Sequence, residues 1–288
     1  MDTVAFEMPL AMCRVVGPWA RHAFFCIPAT PVADIMQENA KALSRAGSAM
    51  DSRPFAREEK IQLPGEMAGG TGILVLSDEL NHRSIVEGVR LSGCTVRAFQ
   101  HNNMTALETE LNRAIEQGQA SGKPWRKIFV VVEGIYSMEG DFCRLREIVS
   151  LKNKYGAYLY LDEAHSIGAV GRTGRGVTEL LGVPTREVDV MMGTFTKSFG
   201  SAGGYVAASK EVIAQLRRVA PGSVFAGAMA PPCAAQALQA LRVISGEEGG
   251  DTGAKKLAAI RENANYFREE LSRQGFKADV PNGLMLAP

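Results

Sequence analysis

The sequence predicts an α/β fold: a mainly parallel sheet covered by helices on both faces. Three observations predict it. From residue 68 onward, short apolar runs of strand length alternate with segments of helical spacing. The apolar share, 46% over 288 residues, is ample for a buried core. Asp162 closes one apolar run and Lys197 follows another, so both fall on the carboxyl-end rim where open α/β sheets hold ligands.

The elements follow in order. Residues 33–46 mix apolar and charged positions as a helix does, and 48–65, polar with Pro54 and Pro64, reads as loop. Strand-like runs are expected at 72–77, 95–99, 127–132, 157–161, 188–192 and 205–208. Helical spacing is expected over 80–91, where Ile85, Val86 and Val89 share a face, and over 105–117, 145–154 and 210–219. From 232 to 275 the pattern is almost wholly helical, broken at 246–253, and 284–286 resembles an opening strand. Three regions result: a divergent segment at 1–67, a large domain at 68–235, and a helical connection with the start of a smaller domain at 236–288.

Composition excludes several classes. Thirty-two basic against thirty-one acidic residues leave a net charge of +1, which argues against a grip on nucleic acid dominated by phosphate contacts. The five cysteines (Cys13, Cys26, Cys94, Cys143, Cys233) are odd in number, scattered and without a CxxC; they read as buried thiols of a reducing compartment, and no metal site is expected. No apolar run reaches the roughly 18–20 residues of a spanning helix. The nearest, 8–32, is broken by Arg14, Arg21, His22 and four prolines.

The chemistry concentrates in Gly193-Thr194-Phe195-Thr196-Lys197-Ser198-Phe199-Gly200, a lysine between two strand-like runs, flanked by hydroxyls and glycines. Such a lysine alone is an ordinary surface residue. Thirty-five positions earlier, however, Tyr160-Leu161-Asp162-Glu163-Ala164-His165 places an acid on the same rim. Four blocks, LSDELNHRS at 76–84, EGIYSMEG at 133–140, DEAHSIGAVGRTGRG at 162–176 and GTFTKSFGSAGGY at 193–205, together resemble the α-oxoamine synthases. These are a branch of the fold-type I pyridoxal-phosphate enzymes. Within that branch the wording is most similar to the catalytic (long-chain-base 2) type of serine palmitoyltransferase subunit, over about residues 68–246. The non-catalytic subunit type lacks the lysine, so Lys197 points to the catalytic type.

The resemblance implies pyridoxal 5'-phosphate as cofactor and assigns its contacts. Lys197 would bond the cofactor aldehyde and then act as base at the α-carbon. Asp162 would face the pyridinium nitrogen; read alone, it is equally a cap after a strand. His165 would lie near the phenolic oxygen, as would Ser137, whose plain reading is a turn serine. His82 would stack over the ring, though an Asn-His pair opening a helix also reads as a cap. Thr194 and Thr196 would stand on the phosphate side, Thr196 being also a candidate for strand-end packing. Glu133 and Glu163 read as supporting or surface acids, and His22 and His101 as surface residues.

The implied reaction condenses L-serine with palmitoyl-CoA, with decarboxylation, to 3-ketosphinganine. The implied setting is a dimer, with a long-chain-base 1 type subunit as hetero-oligomeric partner, at the cytosolic face of the endoplasmic reticulum. Membrane attachment would come only through the partner.

The chain departs from the family at four places. GEMAGGTG at 65–72 replaces a glycine-rich phosphate loop, and Ala226-Gly227-Ala228-Met229 lacks the hydroxyls expected before Pro231-Pro232. Arg83 replaces a small residue beside His82, where its bulk would crowd the ring. The arginine-bearing small domain is cut off. The expectation is a chain truncated at both ends, folded in its core and weak or inactive as an enzyme. The competing readings are a non-catalytic subunit and an α-oxoamine synthase of other substrates. Asp162-Glu163-Ala164-His165 also spells a helicase box, but no GxxxxGK[ST] precedes it.

Overall fold

A computed structural model of the chain describes residues 24–27, 71–220 and 228–276. The expected helix at 33–46, the loop at 48–65, residues 65–70 of the glycine-rich stretch, Ala226, Gly227, His22 and the run at 284–286 lie outside these residues.

The α/β architecture is as the sequence predicts. The strands are β1 (Phe24–Ile27), β2 (Ile73–Asp78), β3 (Thr95–Phe99), β4 (Lys127–Glu133), β5 (Tyr158–Asp162), β6 (Val190–Thr194) and β7 (Gly204–Ala208). They form one sheet in the order β1-β7-β6-β5-β4-β2-β3. Strands β3, β2, β4, β5 and β6 are mutually parallel, whereas β7 runs antiparallel to β6 and β1 antiparallel to β7. The reversal at β7 has a simple cause. Residues 195–203 are too few for the crossover of a dozen or more residues that a parallel neighbour requires.

The helices are α1 (Arg83–Leu91), α2 (Met104–Gln117), α3 (Leu145–Tyr155), α4 (Val177–Leu180), α5 (Lys210–Val219), α6 (Pro231–Ser245) and α7 (Thr252–Arg273). Their ends follow capping chemistry. Asn103 Oδ1 accepts from Ala106 N at 3.0 Å to open α2, and Gly156, at φ 62°, closes α3 in the left-handed region. Strand alternation divides the sheet's two faces. Leu74, Leu76, Val130, Val132, Leu159 and Leu161 enter the main core with Leu107 and Leu111 of α2, Leu145 and Ile148 of α3, and Leu238 and Leu241 of α6. Val75 and Val131 point the other way, onto Ile85 of α1. Of the described cysteines, Cys143 is buried, while Cys94 and Cys233 are only partly so.

Candidate active site

Five parallel strands place their carboxyl ends on one rim, and the functional side chains are built on the loops that leave it. The β4–β5 register sets Glu133 opposite Asp162, and Gly134 N donates to Asp162 O at 2.7 Å. Asp162, 4% exposed, accepts at Oδ1 from Ala164 N at 2.7 Å. It thus caps the turn that carries His165, and among the described residues its Oδ2 takes no hydrogen bond. Burial raises its pKa; the Ala164 amide and the charges of Lys197 and His82 pull the other way. His165 is half-buried, and its pKa is lowered by burial first, then by Lys197 and His82. Its imidazole is therefore neutral at physiological pH. Lys197 and His82 thus each stand within electrostatic reach of both Asp162 and His165.

Lys197 stands exposed in the 195–203 loop. The loop is closed by Phe195 N to Gly203 O at 2.9 Å, Ser201 N to Phe195 O at 2.8 Å and Gly200 N to Lys197 O at 3.0 Å. Two contacts fasten it to α6: Ser201 Oγ donates to Cys233 O at 2.7 Å and Gln236 Nε2 to Phe199 O at 3.2 Å. Below it the Tyr205 ring fills the space over Gly193, where an added Cβ would fall 2.5 Å from the phenol oxygen. Thr194 Oγ1 lies 3.1 Å from Gly203 O and 2.7 Å from Thr196 Oγ1, and it accepts from Thr196 N at 3.2 Å. The half-buried Thr194 hydroxyl is thus engaged in shaping the loop, and Thr196 is the outward one of the pair.

His82 is the N-cap of α1: its Nδ1 accepts from Ser84 N at 3.2 Å and meets Ser84 Oγ at 2.7 Å. The capping alternative is therefore realised, and the exposed ring keeps its faces. Beneath it Glu133 Oε1 accepts the His82 backbone N–H. Burial raises the Glu133 pKa to about 7; the His82 amide opposes this, and Asp162, Asp78 and Glu139 add to it. Ser137 lies exposed at the turn after β4. Arg83 does not stand against the ring. It lies along α1, where its Nη2 pairs with Glu87 Oε1 at 2.5 Å.

One reading of a side chain needs correction. His101 is not a surface residue: its ring is 16% exposed and bridges two buried carboxylates, with Nδ1 2.9 Å from Asp78 Oδ1 and Nε2 2.9 Å from Asp141 Oδ2. Of the two readings given for Glu133 and Glu163, the structure favours supporting acids over surface ones, since they are 3% and 0% exposed. Glu163 accepts from Ser166 Oγ and from Val177 N, and burial raises its pKa to about 7. Asp78, His101 and Asp141 were open to the rule that ligands gather beyond strand carboxyl ends, since each follows or closes a strand there.

This fold and rim define the class: the chain belongs to the aminotransferase class I and II family, whose model matches residues 66–287. Within it, the chain is 59% identical over 220 residues to "Long chain base biosynthesis protein 2d" of Oryza sativa subsp. japonica, covering 76% of this chain and 45% of that protein. It is 51% identical over 208 residues to "Serine palmitoyltransferase 3" of Homo sapiens, covering 72% and 38%. Among solved structures, a serine palmitoyltransferase from S. paucimobilis with a bound PLP–myriocin aldimine matches with a TM-score of 0.71 and 25% identity, over 95% of this chain and 57% of that one. The chain spans less than half the length of these curated relatives.

Proposed function

We propose that the chain carries the cofactor-binding part of a serine C-palmitoyltransferase, which condenses L-serine with palmitoyl-CoA and releases CoA and carbon dioxide to give 3-ketosphinganine. One observation carries the reading: Lys197, Asp162, His165 and His82 meet on one rim of the sheet, with Lys197 and His82 each within electrostatic reach of both Asp162 and His165. The names of the relatives support the choice of substrates.

The residues present fit pyridoxal 5'-phosphate. Asp162 is a buried carboxylate whose second oxygen takes no hydrogen bond among the described residues, which suits a pyridinium N–H. When bound, the cofactor supplies an electron sink for the pair left at an amino acid's α-carbon. Lys197 offers the amine that holds the cofactor's aldehyde and, once released, a base for the α-proton of serine. Asp162 would hold the proton on the ring nitrogen. His165, its pKa lowered by burial and then by Lys197 and His82, would hydrogen-bond the phenolic oxygen, and Ser137 would serve the same atom from the turn after β4. His82 would offer its ring face for stacking, and Thr194 and Thr196 would serve the phosphate.

In this reading residues 68–235 form the cofactor-binding domain, whose sheet β1 at 24–27 joins through β7, and 236–288 lead into a second domain. The partner is a second subunit of the long-chain-base 1 type, and the site of action is the cytosolic face of the endoplasmic reticulum. No helix among the described residues is long and apolar enough to cross a membrane.

The test is the absorbance spectrum of the purified protein with added pyridoxal phosphate, beside Lys197→Ala. A visible band present only with Lys197, and shifted by L-serine, is the expected result. No band in either protein would overturn the reading in favour of a non-catalytic subunit.

A further inference from the structure

Asp78, His101 and Asp141 lie at the carboxyl ends of β2, β3 and β4, which are adjacent in the order β4-β2-β3. Both ring nitrogens of His101 face carboxylate oxygens at 2.9 Å, so both act as donors when the ring carries two protons. Both aspartates also hold the surrounding loops. Asp78 accepts from Leu80 N at 3.0 Å and Asn102 N at 3.1 Å. Asp141 Oδ2 takes Asn102 Nδ2 at 2.9 Å, and its carbonyl takes Tyr136 N at 3.0 Å. Asn102 adopts φ 51° to do this, a left-handed conformation that asparagine tolerates better than most residues.

The cluster lies between two segments the cofactor reading uses. The loop from Asp78 runs through Leu80 and Asn81 to His82, and the turn held by Asp141 carries Ser137. Asn81 Nδ2 adds an anchor to Val131 O at 2.7 Å. We propose that His101 is a positioning residue: by binding Asp78 and Asp141 together it joins the β2 and β4 loops and sets where His82 and Ser137 stand against a cofactor on Lys197. The inference rests on the cofactor reading above.

The charge balance agrees. Burial lowers the His101 pKa, but the hydrogen bonds and charges of Asp78 and Asp141 outweigh it and raise it to about 9. The other groups around His101 are Glu79, whose Oε1 accepts from the His101 backbone N at 3.0 Å, and Tyr136, whose ring centroid lies 4.4 Å from that of the imidazole in a T-shaped contact. Close behind is Cys143, whose buried thiol is pushed up, first by burial and then by Glu163, Asp78 and Asp141. None of these is cationic, so nothing in the pocket competes with the imidazolium.

The experiment compares wild type with His101→Gln and Asp141→Asn, using pyridoxal phosphate and L-serine as probes and Lys197→Ala as reference. Both variants are expected to keep the wild-type circular dichroism and the Lys197-dependent band. The serine concentration giving half the spectral shift rises about tenfold or more, as displaced positioning groups cost. Wild type acquires the same weakening as the pH rises through about 9, while His101→Gln lacks that step because it has no imidazolium proton to lose. In cofactor-free protein, amide exchange quickens at Leu80, Asn102 and Tyr136 in His101→Gln and is unchanged in β5. Half-saturation by serine within about twofold of wild type, in a folded variant that binds the cofactor, would overturn the proposal. Unfolding of both variants would also overturn it, making His101 a stability element. A wild type without the band would remove the cofactor reading and this proposal together, and the wild-type spectrum alone separates that case from failure of the lock.

Discussion

Glu133 of β4 receives the backbone N–H of His82, the residue that opens α1. One carboxyl thus binds the helix start to the strand end beside Asp162. With its pKa raised from 4.5 to about 7, the folded chain holds this proton more tightly than the unfolded one. The associated stability is complete below about pH 4.5 and is lost as the pH rises through 7. Glu133→Gln keeps an acceptor for His82 but cannot ionise. It should gain up to about 3 kcal/mol relative to wild type between pH 5 and pH 8, read from urea denaturation at the two values.

Asp162→Asn removes the negative charge from the strand end while preserving an oxygen for Ala164 N. Loss of one partner of a buried ion pair costs about 3–5 kcal/mol, so cofactor affinity should fall at least about 100-fold. Absorbance titration with pyridoxal phosphate measures it, and affinity near that of wild type would dismiss Asp162 as the ring-nitrogen partner. Because burial raises this carboxyl's pKa, the same substitution should not lower stability at neutral pH.

Gly193→Ala should destabilise the chain by about 1–3 kcal/mol, because its Cβ would enter the buried Tyr205 ring. A companion Tyr205→Leu substitution vacates that space. The double variant should show a favourable coupling in a thermodynamic cycle built from denaturation curves.

Lys152 and Asp189 form an asymmetric pair. Lys152 is nearly enclosed, with Nζ 2.8 Å from Asp189 Oδ2, and that oxygen also accepts Leu159 N at 2.7 Å. Asp189→Ala strands both the ammonium and the amide and should cost about 3–5 kcal/mol. Lys152→Met fills the same volume without a charge and should cost less than Asp189→Ala, as urea unfolding of the two variants will show.

What the sequence conveyed follows the range of the interactions involved. The run at 95–99 and the helix at 210–219 were legible to the residue, since alternation and spacing are local signals. The run at 188–192 formed two residues later, at Val190–Thr194, where hydrogen bonding to β5 and β7 decides the register. Arg83 was expected to crowd His82 because its neighbour in sequence is the histidine; on a helix, its neighbour in space is Glu87, four residues on. The pairing of His101, though not its place beyond a strand end, was illegible for a different reason. Its partners are 23 and 40 positions away, and only the parallel ladder pairing Asp78 with Phe99 brings them together. Lys197 and Asp162 were found through the wording of their surroundings, whereas their mutual placement comes from the β5–β6 pairing of Asp162 with Met192.

The tether between the 195–203 loop and α6 has a consequence for the order in which the molecule is made. Asp162, His165 and His82 belong to strands and turns that can settle as they emerge, the chain being synthesised from its amino terminus. The lysine loop gains its fixings to Cys233 and Gln236 only when α6 has followed. Lys197 is therefore the last member of the group to be immobilised, and a nascent chain halted before α6 would display Asp162, His165 and His82 with the lysine loop still untethered.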